Sequence, residues 1–129
     1  MSIDLKYNKQ KKILTIKAQG YLSVESFETV TLALLSSDEY CHDVDTIWDI
    51  RDMHFDNIDM TFLKQLNKVQ KKYAERRGEA RIAIFSNSKL AVPIVKLFMI
   101  ISKNLSQKYN VFTSVEEAEL WLQQNSLRN

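Results

Sequence analysis

Two short runs of alternating residues, split by a polar tetrapeptide, open the chain and constrain its fold more than any other feature. Ile3, Leu5 and Tyr7 alternate with polar neighbours, which is the period of a strand with one buried face. Asn8-Lys9-Gln10-Lys11 has turn composition, and Ile13, Leu14, Ile16 and Ala18 resume as a second strand. Strands joined by so short a connection pair as a hairpin. Gly20 is expected to end the second strand.

Strand-like and helix-like segments alternate after the hairpin. Ser23 can cap a helix to about Leu35, with Val24, Phe27, Val30, Thr31 and Leu34 on one face. Thr46–Ile50 is a β-rich run of the kind found in a central strand. Asp56 is the expected cap of the next helix, with Asp59 as its capping-box partner. That helix buries Phe62, Leu63, Leu66, Val69 and Tyr73, reaches about Arg77 and stops at Gly78. Ala80–Phe85 forms a further strand, and Pro93 sits in the first turn of a helix reaching about Leu105. Tyr109–Phe112 is the last strand, and Ser114-Val115-Glu116-Glu117 is a capping box for the last helix, which buries Ala118, Trp121 and Leu122. The order β-β-α-β-α-β-α-β-α implies an α/β fold with a mixed, mostly parallel sheet and helices packed against it.

At 129 residues the chain has the size of one domain, here expected to span 1–129. Such a length buries roughly two-thirds of its unfolded surface. Only two Gly and one Pro are present, which argues against long linkers. A net charge of +2 is too small to point to nucleic acid. The single Cys41 excludes an internal disulfide and fits a reducing compartment. MSIDLKYNKQKK lacks the apolar core of a signal peptide, and the apolar stretch from Ile94 to Ile101 is far too short to span a membrane. The expected location is the cytoplasm.

Three stretches carry a family likeness. TIWDIRDMHFDNIDMTFL resembles the strand–loop–helix of STAS domains, in which a hydrophobic strand ends in Asp and a Phe precedes the helix. ARIAIFS resembles the following central strand, and KYNVFTSVEEAELWL resembles the family's final strand and capped helix. The chain thus resembles the SpoIIAA-like (STAS-type) family, and within it the uncharacterised bacterial SpoIIAA-like proteins. The likeness implies the SpoIIAA-like fold. Classical anti-sigma factor antagonists of this family carry a phosphorylatable Ser at the start of the helix after the third strand. Placing Asp49 on the family's strand-ending Asp puts Asn57, Ile58 and Asp59 in that window, with no Ser or Thr before Thr61. The phosphorylation switch is therefore not implied. A carboxylate at Asp59 has less charge and fewer acceptor oxygens than a phosphate.

Three surfaces are candidates for function. The first is the acidic segment at the strand end, Asp49, Arg51, Asp52, Asp56 and Asp59, with His42 and His54 nearby. Its spacing matches no metal or catalytic motif, and Asp residues are favoured in turns and caps on their own account. Asp49 is expected at the carboxyl edge of a central strand, where α/β sheets bind ligands; the plainer reading is a salt-bridged loop. The second is a basic helix face, Lys64, Lys68, Lys71 and Lys72, with Arg76 and Arg77 at its end. It lacks the stacking aromatics that nucleic acid would need. The third is the segment after Pro93, apolar nearly all round, with Lys96 its sole charge. There Ile94, Leu97, Phe98, Met99 and Ile101 call for a cover: a neighbouring helix, a twin subunit or an apolar ligand.

Three roles follow as expectations. One is a non-enzymatic interaction or regulatory module working through a protein partner or as a homodimer. Another is a binder or carrier of a small apolar or lipid-like molecule, by analogy with Sec14-type domains of related fold. The third, an enzyme using Asp49, Asp52 or His54, needs those groups to converge. No catalytic residue, cofactor or metal ligand is expected, and neither nucleic acid nor a membrane span.

Overall fold

The structure is a computed structural model that describes residues 2–126. The opening hairpin forms as the alternation requires. β1 (Ser2–Asn8) pairs antiparallel with β2 (Ile13–Tyr21), placing Leu5 opposite Ile16. β3 (Asp45–His54), β4 (Arg81–Phe85) and β5 (Lys108–Phe112) add in parallel, giving a five-stranded sheet in the order β1-β2-β3-β4-β5.

Helices cover the two faces unequally. α1 (Val24–Ser36), α2 (Met60–Arg77) and α3 (Ala91–Ile101) pack on one face, over Leu14, Ile16, Ala18, Ile50, Ile82 and Ile84. α4 (Val115–Ser126) packs on the other, where Ala118 and Leu122 meet Ile13, Ile47, Ala83 and Phe85. Central strands buried on both sides explain why Ile47, Ala83 and Ile84 occur in runs without polar alternation.

Local chemistry sets most boundaries. Ser23 caps α1 in a reciprocal box with Ser26. Gly78 ends α2 at φ +61°, a conformation that side chains with a Cβ rarely adopt. Four boundaries differ from the sequence expectation. Gly20 does not end β2: its φ of +88° is taken up inside the strand, which pairs onward to Tyr21 opposite His54. That pairing also draws β3 on to His54, well past Ile50. The cap of α2 is Asp59, whose carboxylate accepts from the Phe62 N–H at 2.8 Å, while Asp56 accepts from the Tyr21 hydroxyl. α3 stops at Ile101, and Ser102 and Gln107, both buried, lie in the turns that follow.

A bulge in β3 reshapes the segment expected to be a strand-end loop. Lys17 pairs with Asp49 but Gln19 pairs with Asp52, so Ile50 and Arg51 together oppose Ala18. Asp49 therefore lies inside the strand on the α4 side. Its carboxylate accepts from Arg51 three times: from the backbone N–H at 3.2 Å, Nε at 3.0 Å and Nη2 at 2.8 Å. The guanidinium in turn lies 4.5 Å from the centre of the Phe85 ring.

Candidate functional site: an apolar cavity with a polar end

The three-helix layer does not close completely on the sheet. A cavity of about 120 Å³ remains between them. Ile16, Trp48, Ile50 and Ile84 line it from the sheet, Phe27 and Val30 from α1, and Ile94, Val95 and Phe98 from α3. Trp48 is held in place by the Phe27 ring, stacked with centroids 5.7 Å apart.

α2 supplies the wall that varies along its length. Leu63, Leu66, Gln70, Tyr73 and Arg77 all face the cavity. Their spacing of three and four residues places them on one helical stripe, about 21 Å from end to end at 1.5 Å per residue. The stripe begins apolar and ends polar. At its polar end stand Gln107 and Tyr109 from the α3–β5 connection and β5.

Hydrogen bonds organise this end. The Gln70 amide donates to the Tyr109 hydroxyl, and its carbonyl accepts from Ser102 Oγ at 3.0 Å. Asn67 also donates to Ser102 Oγ, at 3.1 Å. The Gln107 amide donates to the carbonyls of Ala74 and Gly78, holding the end of α2. The Tyr73 hydroxyl turns away to Glu28 Oε2 at 2.6 Å, tying α2 to α1 and, with Lys72, holding the Glu28 carboxyl below its ordinary range. Enclosure pushes the Tyr109 phenol well above its ordinary value.

Arg77 departs most from the sequence reading. Expected with Arg76 on a solvated basic face, it is 7% exposed, whereas Lys64, Lys68, Lys71, Lys72 and Arg76 are exposed. The helical stripe turns Arg77 inward. Its guanidinium donates to the His42 carbonyl and to Thr46 Oγ1, the latter at 3.1 Å. Burial lowers its affinity for the proton. Of the carboxylates whose charge reaches it, Asp45 accepts from Arg81 Nε at 3.1 Å and Asp43 is exposed. Among the described residues no ion pair includes Arg77.

The sequence-derived candidates distribute as follows. Ile94 and Phe98 line the cavity, while Leu97, Met99 and Ile101 are half-buried against the same core. Much of the apolar character of α3 is thus absorbed by the chain itself, and Ile100 is left 61% exposed. Asp49 and Arg51 pair with each other, Lys17 lies 3.9 Å from Asp52, and Asp56 and Asp59 serve Tyr21 and the α2 cap. His54 stacks on Tyr21 with ring centroids 4.7 Å apart. Among the described residues no three His, Cys, Asp or Glu converge on one point. The sequence reading missed Gln70, Gln107 and Tyr109, and assigned Arg77 to the basic helix face instead. The change from Leu to Gln and Arg along a single helical stripe was the available signal.

The Asp49–Arg51 pair carries a pH expectation. Arg51 holds the Asp49 carboxyl below its ordinary value, chiefly through the side-chain hydrogen bond. A lowered folded pKa stabilises the fold above the unfolded value and is lost as pH falls through the folded one, so the loss lies below about pH 4. Asp45 has the opposite sign, because burial outweighs Arg81 and raises it. Asp49→Asn is expected to lower the urea midpoint at neutral pH and to flatten its fall below about pH 4. A mutant midpoint parallel to that of the wild type across this range would show that the pair contributes nothing.

No family model matches the chain, and no curated protein matches it. Among solved structures it is similar to an uncharacterized protein of the DUF3478 family with a SpoIIAA-like fold, from Shewanella loihica PV-4. The two share 20% sequence identity with a TM-score of 0.63, over 94% of this chain and 92% of that one. At that identity the likeness concerns the fold alone. The fold is SpoIIAA-like, as the three sequence stretches implied. Among the described residues no helix is long and apolar enough to cross a membrane.

Proposed function

We propose that this SpoIIAA-like domain is a non-enzymatic binding module that takes up one small, largely apolar molecule between its sheet and its three-helix layer. The observation that carries this reading is the apolar cavity of about 120 Å³ beside Trp48, Val95 and Phe98. Its size decides what fits. Drug-sized ligands need about 300 Å³ or more. An apolar cavity of about 150 Å³ takes up benzene or xenon. The ligand is therefore near one aromatic ring or a short alkyl chain in size, and a full-length lipid chain would need the helices to move apart.

Apolar atoms placed in this space would supply dispersion contacts that its lining otherwise lacks. A groove between the starts of α1 and α2 adjoins the cavity at Leu22. A protein-partner or homodimer role would rest mainly on Leu90 and Ile100, 75% and 61% exposed, since the other apolar residues of α3 pack within the chain.

Trp48 lines the cavity and Trp121 lies on the opposite face, so ligand entry has an internal optical probe. Toluene or indole near saturation is expected to shift Trp48 emission and raise Tm by several degrees. Val95→Phe, which fills the space, is expected to abolish both responses while raising the basal Tm. An unchanged wild-type spectrum and Tm with toluene, indole and xenon would overturn the proposal.

A further inference from the structure

We propose that the natural ligand of this cavity carries a carboxylate, bound by the Arg77 guanidinium, with its apolar body lying toward Leu66 and Ile84. The inference rests on the cavity being a binding site and adds the chemical class of its occupant.

Arg77 is a buried cation at the polar end of a largely apolar space. Burying a guanidinium is costly unless an anion accompanies it. Its hydrogen-bond partners are the neutral oxygens of His42 and Thr46, and the carboxylates of Asp43 and Asp45 act on it without forming an ion pair. An Arg whose only task is to tie α2 to β3 would need no access to the cavity, yet Arg77 is part of its wall.

Neighbouring groups suit an anion as well. The Gln107 Nε2 and the Tyr73 hydroxyl are already engaged, with backbone carbonyls and with Glu28. The Tyr109 hydroxyl accepts from Gln70, which leaves its own proton free to be donated. Tyr109 and Arg77 both line this end of the cavity. This end of the wall therefore holds a guanidinium and a hydroxyl, donors of the kind that give a carboxylate strong, oriented hydrogen bonds. Among the described residues no carboxylate side chain lines the cavity to oppose it. Beyond this end the wall is hydrocarbon and accepts a phenyl ring or short alkyl chain. The occupant inferred is a small aromatic or aliphatic carboxylic acid.

The full chain is titrated with benzoate, phenylacetate and hexanoate, and in parallel with the neutral probes toluene and benzyl alcohol, by Trp48 emission and Tm. The acids are expected to bind at least tenfold more tightly than the neutral probes at neutral pH. Arg77→Met, which retains most of the side-chain bulk, is expected to reverse that preference and still bind toluene. A second measurement needs no variant: the preference of the wild-type protein for acids should vanish as pH falls below the ligand's own carboxyl pKa. If toluene binds and the acids bind no more tightly, or if the acid preference survives Arg77→Met, the role of Arg77 is overturned and the cavity reading stands. If no probe binds, both fall.

Discussion

Leu122→Ala is expected to remove about 3–4 kcal/mol of stability, the largest effect of any single truncation on the α4 side. Leu122 has no exposed surface and sits at the centre of a small cluster with Ile13, Ile47, Ala83, Phe85 and Ala118. The opposite face is shared among three helices, but this one has α4 alone. A void left here cannot be refilled from a neighbouring helix, so collapse around it is limited. Against a total stability of about 5–15 kcal/mol for a domain, the loss would bring the chain close to unfolding at moderate temperature. Urea denaturation checks it through a lowered midpoint at unchanged slope. A loss below about 1 kcal/mol would mean that α4 is not the element that closes this face.

Arg77→Ala carries the second largest expected loss, about 2–3 kcal/mol, while Arg76→Ala beside it changes stability by no more than about 0.5 kcal/mol. The two differ only in where α2 points them. Arg76 is exposed, whereas Arg77 satisfies the His42 carbonyl and the fully buried Thr46 hydroxyl. Truncating it removes the donor to both and the packing of its aliphatic stem. Thr46 keeps its donation to the Val44 carbonyl at 3.0 Å, which limits the penalty. Parallel urea curves for the two variants check the contrast, and equal midpoints would return Arg77 to the solvated face that its sequence neighbours suggest.

The pattern of local order explains which features were legible beforehand. The hairpin could be read because alternation in β1 and β2 has period two and the pair closes over a short turn. The Ser23 cap of α1 and the Gly78 stop of α2 could be read because each depends on groups within four residues. The length of β3 and its bulge could not, because both are set by β2, whose Gln19, Gly20 and Tyr21 lie more than thirty residues earlier. The choice of Asp59 over Asp56 as the cap was settled the same way: Asp56 is held by Tyr21 across the sheet edge.

Periodicity and capping by themselves determined the order of elements, the apolar side of each helix and the α/β class, since these follow from backbone geometry and local hydrogen bonds, while the SpoIIAA-like fold was implied by the family likeness of three stretches. Only the tertiary structure decided that three helices cover one face and α4 the other. It alone packed Leu97, Met99 and Ile101 within the chain, moved Asp49 from a strand end into a bulged strand, and turned Arg77 from a surface charge into a buried one. The physical reason is shared. A helical stripe shows which residues lie together, but the depth of each depends on how closely the next layer packs, and here α1, α2 and α3 leave about 120 Å³ above the sheet.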